Sequence, residues 1–130
     1  MSISNPDSRA ATGIEGLDAI LTGGFPRGEL HLIQGGTGTG KTTIGLQFLL
    51  EGVARGEKAL FITFAQTEAT LRKMTASHGW SLDGVAVQEL TGAQAVHDKA
   101  EQTLFQTADV ELGETTDNIF ETVERLQPDR

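Results

Sequence analysis

The residues best suited to chemistry form one glycine-rich segment, residues 35–43. The segment matches the pattern G-x-x-x-x-G-K-S/T, in which a loop between a strand and a helix surrounds a polyphosphate. We predict that all of its members contact a nucleotide: Gly35, Gly36, Thr37, Gly38, Thr39, Gly40, Lys41, Thr42 and Thr43. The other interpretation, a surface turn that happens to precede Lys-Thr, leaves the apolar run before the segment and the helical pattern after it unexplained.

Each residue type in this segment suits a task in gripping a triphosphate. Glycines let the backbone adopt positive φ and pass close to an anion. A helix that starts near Lys41 leaves its first N–H groups unpaired and turns the positive end of its dipole toward the phosphates. The Lys41 ammonium is predicted to reach the β- and γ-phosphates, and the Thr42 hydroxyl to bind Mg²⁺. Thr43 is predicted to hydrogen-bond the α-phosphate.

The elements on either side of the loop are predicted to form a parallel βαβ unit. Residues 30–34 are expected to be its first strand, residues 41–55 its helix and residues 59–64 its second strand. The nearly continuous apolar run in the second strand is typical of a strand covered on both faces. A right-handed crossover then leaves the glycine-rich loop at the carboxyl edge of the sheet, where open α/β folds bind ligands.

The remaining segments are predicted to complete one α/β domain over residues 12–130, behind a flexible tail over residues 1–11. An apolar set in residues 14–21 predicts a short helix packed on the core. Further elements are a helix over residues 68–78, a third strand over 85–90, a long loop over 91–113 with at most a short helix at 96–104, and a helix over 114–126 capped by Thr115 or Thr116.

The composition limits the partners of the protein. The net charge is −8, with 18 acidic residues against 10 basic ones, so the long-range field repels nucleic acid and anionic membranes. There is no cysteine, which excludes disulfides and thiolate chemistry. The N-terminus lacks the pattern of a signal peptide, and no apolar run is long enough for a membrane span. We therefore expect a cytoplasmic protein without membrane or nucleic-acid partners.

Several motifs together resemble those of KaiC-like ATPases of the RecA superfamily. They are the glycine-rich loop, the two segments before it (residues 12–18 and 23–30), and three later ones: residues 61–64, 76–80 and 110–116. The resemblance implies a RecA-like core, a mostly parallel sheet flanked by helices, with ATP and Mg²⁺ as ligands. It also implies self-association into rings or hexamers with nucleotide between subunits, and some relatives phosphorylate themselves.

One departure from the family concerns catalysis. The family typically places one or two glutamates after the strand equivalent to residues 59–64, where they activate the attacking water. This chain has Ala65 and Gln66 there. The predicted catalytic residues are therefore Lys41 and Gln66, which takes the position of the family's glutamate. Glutamine can orient a water but cannot accept its proton, and losing a general base costs about 10²- to 10⁴-fold in rate. Glu68 is the nearest carboxylate that could substitute, but its position in the first turn of the next helix favours a different role, a stabilising negative charge at the helix N-terminus.

A second departure concerns length. The resemblance implies that an apolar strand ending in the Walker B aspartate follows a segment like residues 127–130, where this sequence stops. Residues 85–89 are the only substitute with apolar residues before an acid. We therefore expect a core truncated at its C-terminus, marginally stable alone or dependent on association.

Three functions remain open on these grounds. The first is an ATP-binding domain of a KaiC-like ATPase that hydrolyses slowly or not at all. The second is a non-hydrolysing module whose association with like subunits or a signalling partner is gated by nucleotide. The third, a DNA recombinase-like ATPase, is disfavoured by the acidic charge and the lack of a basic stripe. The three histidines are scattered, which argues against a metal cluster.

Overall fold

The computed structural model describes residues 8–90 and 107–130, with side chains described up to residue 90 and from residue 113. Its elements in chain order are β1 (Arg9–Ala10), α1 (Glu15–Ile20), β2 (Phe25–Pro26), α2 (Lys41–Ala54), β3 (Ala59–Thr63), α3 (Glu68–Ser77), β4 (Val85–Glu89) and α4 (Thr107–Leu126). Strands β1 and β2 pair antiparallel, and strands β3 and β4 pair parallel. The predicted α/β class is therefore confirmed.

The core lies where α2 and α3 meet the parallel pair. Its buried apolar residues are Leu46, Leu49, Ala59, Leu71, Leu82 and Val85. The helix over 41–55, the helix over 68–78 and the strands at 59–64 and 85–90 are thus all confirmed, with ends shifted by a residue or so. Gly56 and Gly79 follow the ends of α2 and α3 with φ of 77° and 76°, the left-handed conformation expected after a helix.

The prediction that residues 30–34 form the first strand of a βαβ unit is wrong. These residues have no assigned secondary structure, and β3 pairs instead with β4. Leu30 is 99% and Leu32 86% exposed to solvent. The segment is largely apolar, as a strand would be, but a strand also needs a neighbouring strand. Among the described residues no strand pairs with this segment.

Near the N-terminus, the folded part begins earlier than expected and α1 is less buried. Arg9 and Ala10, assigned to the flexible tail, pair with Pro26 and Phe25 in the β1–β2 ladder, and Ala10 is only 4% exposed. The Arg9 guanidinium donates to the carbonyls of Leu21 and Gly24. Residues 1–7 lie outside the described part. The predicted short helix exists, but none of its residues is buried, so it does not pack on the core as expected.

The last helix begins earlier than predicted. Helix α4 starts at Thr107, within the segment assigned to a long loop, and Thr115 and Thr116 lie inside the helix instead of capping it. The helical periodicity was visible only from residue 114 because residues 107–113 include several polar side chains. The predicted short helix at 96–104 lies outside the described residues.

Arg130 ties the end of the chain to three other segments. Its side chain is 1% exposed, forms an ion pair with Glu57, and donates to the carbonyls of Ala11 and Phe48. The guanidinium also lies 4.7 Å from the centroid of the Phe48 ring. Glu57 is bridged on its other oxygen by Arg27, at 2.5 Å. One carboxylate thus joins the turn after β2, the turn after α2 and Arg130, four residues beyond the end of α4.

The ionisation of Glu57 follows from these contacts. Partial burial raises the pKa of Glu57, but the hydrogen bonds and charges of Arg130 and Arg27 outweigh burial and leave the pKa below its ordinary value of 4.5. Because the folded state holds this carboxylate ionised more strongly than the unfolded state does, its stabilising effect is present above about pH 4.5. The effect is lost as the pH falls through the lowered pKa.

We predict that Glu57→Gln lowers the free energy of unfolding at neutral pH by roughly 3 kcal/mol, because it leaves the buried Arg130 guanidinium without its counter-charge. The variant should also lose part of the decrease in stability that the wild type undergoes below about pH 4.5. Urea unfolding at neutral and acidic pH measures both effects.

Glu51→Gln is the matched control for this prediction. Its partner Arg55 lies one helical turn away at 2.9 Å, and the Arg55 side chain is 55% exposed, so the loss should be about 0.5 kcal/mol or less. Equal losses for the two variants would contradict the role assigned to Glu57.

Candidate nucleotide-binding site

The glycine-rich segment forms a tight turn that leads directly into α2. Gly40 precedes the helix with φ of 95°, in the left-handed region where a side chain is strained, and no side chain caps the helix. The first hydrogen bond of the helix runs from the Ile44 N–H to the Gly40 carbonyl, at 2.9 Å. The backbone N–H groups of residues 41–43 therefore precede the helical ladder and have no partner in the described part of the chain.

The side chain of Lys41 folds over the loop. Its ammonium donates to the carbonyls of Gly35 at 2.5 Å and Gly36 at 2.8 Å. The Thr39 hydroxyl donates to the same Gly36 carbonyl at 2.7 Å. These contacts hold a full positive charge and the free amides of α2 at one solvent-exposed loop, which is the electrostatic requirement of a polyphosphate site.

The entry of the loop disfavours a side chain at Gly35. A Cβ there would lie 2.7 Å from the Thr39 hydroxyl oxygen, which would have to leave its hydrogen bond with the Gly36 carbonyl. Because positions 35, 36, 38 and 40 are all glycine, the backbone carries no side chains there, and an anion can approach its amides. The residues present thus fit a triphosphate group.

The protein ligands for a metal ion are fewer. The hydroxyls of Thr42 and Thr43 lie in the first turn of α2, and neither makes a hydrogen bond within the described residues. In residues 8–90 and 113–130, no three His, Asp or Glu side chains are grouped closely enough to hold a metal by themselves. Thr42 fits a Mg²⁺ ion that takes its other ligands from phosphate oxygens and water, the usual arrangement for Mg²⁺ at a nucleotide.

Gln66 lies after the carboxyl end of β3, as the sequence placed it. Its backbone N–H donates to the Thr63 hydroxyl, and its carbonyl accepts from the same hydroxyl, both at 3.0 Å. The Gln66 side chain makes no hydrogen bond within the described residues, and none joins it to the loop. The structure therefore brings the loop residues together with one another, but provides no contact between them and Gln66.

The two acidic side chains near Gln66 are engaged elsewhere. Glu68 accepts two hydrogen bonds from Arg72, the closer at 2.9 Å, and Arg72 also contacts Asp83. Glu89, at the end of β4, accepts from the Glu68 backbone N–H at the start of α3. Both carboxylates thus stabilise α3, which accounts for Glu68 without a catalytic role.

Sequence reasoning missed the contact that orders the segment before α1. The Asp18 carboxylate accepts from the Thr12 backbone N–H at 2.8 Å and from the Thr12 hydroxyl at 2.7 Å. Burial raises the pKa of Asp18, but these hydrogen bonds and one from the Gly13 backbone outweigh burial, so the pKa lies below its ordinary value. The spacing Thr-x₅-Asp across a helix start was visible in the sequence as a possible signal.

In the part of the chain that the structure describes, no helix is long and apolar enough to cross a membrane.

Comparison with known proteins points to one family. A sequence model of the family described as "ATPase: KaiC" matches residues 10–130. The circadian clock oscillator protein KaiC of Prochlorococcus marinus is 42% identical over 79 residues, which are 60% of this chain and 16% of that protein. A UPF0273 protein of Methanopyrus kandleri is 40% identical over 73 residues, or 56% of this chain and 29% of that one.

A solved structure supports the same conclusion. The KaiC-like protein of Pyrococcus horikoshii superposes with a TM-score of 0.71 at 29% sequence identity, covering 92% of this chain and 50% of that chain. The RecA-like core implied by the resemblance is thereby confirmed. The chain spans half of this neighbour and less than a third of the two sequence relatives.

The geometry at the start of α2 predicts opposite effects for two glycine substitutions. Gly40→Ala should lower the free energy of unfolding by about 1–2 kcal/mol, because alanine is strained at a φ of 95°. Gly45→Ala should raise it by about 0.5–1 kcal/mol, because Gly45 lies inside α2 with no atom near its missing Cβ. Urea unfolding of both variants tests this, and an unchanged or increased stability of Gly40→Ala would contradict the left-handed conformation at Gly40.

Proposed function

The chain belongs to the family of KaiC ATPases, and from this premise we propose that residues 35–43 bind ATP together with Mg²⁺. The observation that carries the proposal is the start of α2. There, unpaired backbone N–H groups, a left-handed glycine and the Lys41 ammonium converge on one bare loop. A hydrophobic or neutral ligand would leave this concentration of donors unsatisfied, whereas a triphosphate supplies several charged acceptor oxygens.

Binding requires a local exchange of partners. The Lys41 ammonium would leave the carbonyls of Gly35 and Gly36 and contact the β- and γ-phosphates. The amides of residues 41–43 would donate to phosphate oxygens, with the Thr43 hydroxyl directed at the α-phosphate. When bound, Mg²⁺ neutralises charge on the phosphates, and Thr42 is the residue of this chain that would hold it.

Hydrolysis by this chain is proposed to be slow. Gln66 stands where the family has its catalytic glutamate, and its amide can orient a water but not accept a proton from it. The nearby carboxylates do not replace that base, because Glu68 is paired with Arg72 and Glu89 binds the start of α3. We accordingly propose a domain that binds ATP and hydrolyses it only slowly.

Two further properties are proposed from family membership. One is nucleotide-linked self-association, because the self-association of KaiC relatives agrees with an exposed phosphate loop that a neighbouring subunit can cover. The other is a cytoplasmic location, which suits a cysteine-free protein that binds ATP.

The central test is Lys41→Ala. Removing the ammonium should weaken ATP binding by roughly 1.5–3 kcal/mol, which is about 10- to 150-fold in the dissociation constant. Isothermal titration with ATP and Mg²⁺ measures this directly, and urea unfolding of the same variant checks that the fold is retained. Lys73→Ala is the matched control, since Lys73 is an exposed lysine on α3 that should leave the affinity unchanged. Equal affinity for wild type and Lys41→Ala would overturn the proposal.

Gln66→Glu tests the explanation for slow hydrolysis. The new carboxylate should increase phosphate release by about 10²-fold or more only in a chimera that also carries the metal-anchoring strand of a KaiC relative. In the 130-residue chain alone the change should be small. Release of phosphate is measured for both chains with and without the substitution, and a large gain in the short chain would contradict this account.

A further inference from the structure

Two side chains of the glycine-rich loop bind the same carbonyl. The Thr39 hydroxyl donates to the Gly36 carbonyl at 2.7 Å, and the Lys41 ammonium donates to it at 2.8 Å. A carbonyl oxygen has two lone pairs, so these two donors use its full capacity. Thr39 thus adds a second hydrogen bond to a carbonyl that Lys41 has to leave when ATP binds.

The Thr39 side chain lies against the backbone at the entry of the loop. Its hydroxyl oxygen lies 2.7 Å from the position that a Cβ on Gly35 would take, and its methyl group lies 4.0 Å from the equivalent position on Gly36. The hydrogen bond joins two exposed residues that are three apart in one turn. It is therefore a property of the loop itself and needs no other part of the chain.

The orientation of the Gly36 carbonyl matters for an anion. In the structure its oxygen lies 2.8 Å from the ammonium that the β- and γ-phosphates would contact. The carbonyl oxygen carries a partial negative charge, so a phosphate that contacts the ammonium there would be repelled by it. The peptide group after Gly36 therefore has to turn away when a triphosphate binds, and the lack of a Cβ on Gly36 lets it do so at little steric cost.

We propose that the Thr39–Gly36 hydrogen bond holds the glycine-rich loop in a resting conformation that competes with ATP, and that this bond breaks when ATP binds. The proposal rests on the proposed function, because it concerns the regulation of the same loop. By stabilising the ligand-free loop, the Thr39 hydroxyl lowers the affinity for ATP. The contact of Thr39 with the nucleotide is then made by its backbone N–H, which has no partner within the described residues.

Thr39→Val tests the proposal, because valine keeps the branched shape of threonine and removes only the hydroxyl. Loss of one neutral hydrogen bond from the ligand-free loop should tighten ATP binding by about 2- to 10-fold. Lys41→Ala is expected to change the affinity in the opposite direction. Thr39→Ser keeps the donor, so its gain in affinity should be smaller than that of the valine variant. Isothermal titration with ATP and Mg²⁺ measures all of these affinities.

Ser77→Ala is the matched control. The Ser77 hydroxyl also donates to a carbonyl three residues earlier, that of Met74, at 2.7 Å and in an exposed position. Ser77 lies on α3, outside residues 35–43, so its loss should leave the affinity for ATP unchanged. Stopped-flow binding of a fluorescent ATP analogue adds a kinetic readout. Thr39→Val should raise the association rate constant and leave the dissociation rate constant unchanged, because the bond is absent from the bound loop.

Thermal unfolding provides a second readout of the same bond. Without nucleotide, both Thr39→Val and Ser77→Ala should unfold at a lower temperature than wild type, because each lacks one hydrogen bond. At saturating ATP the difference should disappear for Thr39→Val, whose bond is also absent from the bound wild type, and should persist for Ser77→Ala.

Failure of this proposal and failure of ATP binding are distinguishable. If wild type binds ATP and Thr39→Val binds it equally or more weakly, the proposal is overturned and the proposed function stands. A loss of stability in Thr39→Val that saturating ATP does not remove has the same meaning, as does an equal gain of affinity in Ser77→Ala. Absence of ATP binding in wild type and in every variant overturns the proposed function, and this proposal with it.

Discussion

A helix cannot satisfy its own first backbone N–H groups, and the candidate site of this protein depends on that constraint. At the start of α2 the amides of residues 41–43 precede the helical ladder, and Gly40 turns the chain so that no side chain covers them. The glycine-rich loop adds a bare backbone, and Lys41 adds a mobile positive charge that rests on loop carbonyls. This combination of donors and local positive charge is the basis of the proposed polyanion site, although the whole protein carries a net charge of −8.

The rest of the fold holds that helix in place. Helix α2 packs through Leu46 and Leu49 on the β3–β4 pair, and the Glu57 carboxylate links the turn after α2 to Arg27 and Arg130. Residues 30–34, which lead into the loop from the other side, are held by fewer contacts: the His31 ring hydrogen-bonds the Pro26 carbonyl at 2.9 Å and packs on the Phe25 ring, while Leu30 and Leu32 are exposed.

The sequence was sufficient to predict the elements whose partners are local. The apolar periodicities of α2 and α3 and the apolar runs of β3 and β4 predicted those elements closely, as did the glycines that end the helices. Residues 30–34 are also largely apolar, yet an apolar composition does not reveal which strand lies beside them. The Glu57–Arg130 pair joins residues far apart in the chain, and no local pattern announces such a contact. The spacing of residues 35–43 predicted a glycine-rich turn that leads into a helix, and the structure has that turn, with positive φ at Gly38 and Gly40. The contacts of these residues with a nucleotide stay a prediction, and the spacing did not predict the relation of Gln66 to the loop.

The most direct test of the account is a titration of the isotopically labelled protein with ATP and Mg²⁺, followed by the backbone amide resonances in solution NMR. The account predicts saturable shifts concentrated at residues 35–43, with the largest at the amides of residues 41–43 and little change in α3 or β4. Saturable ATP binding that leaves the amides of residues 35–43 unmoved, or no binding at all, would contradict it.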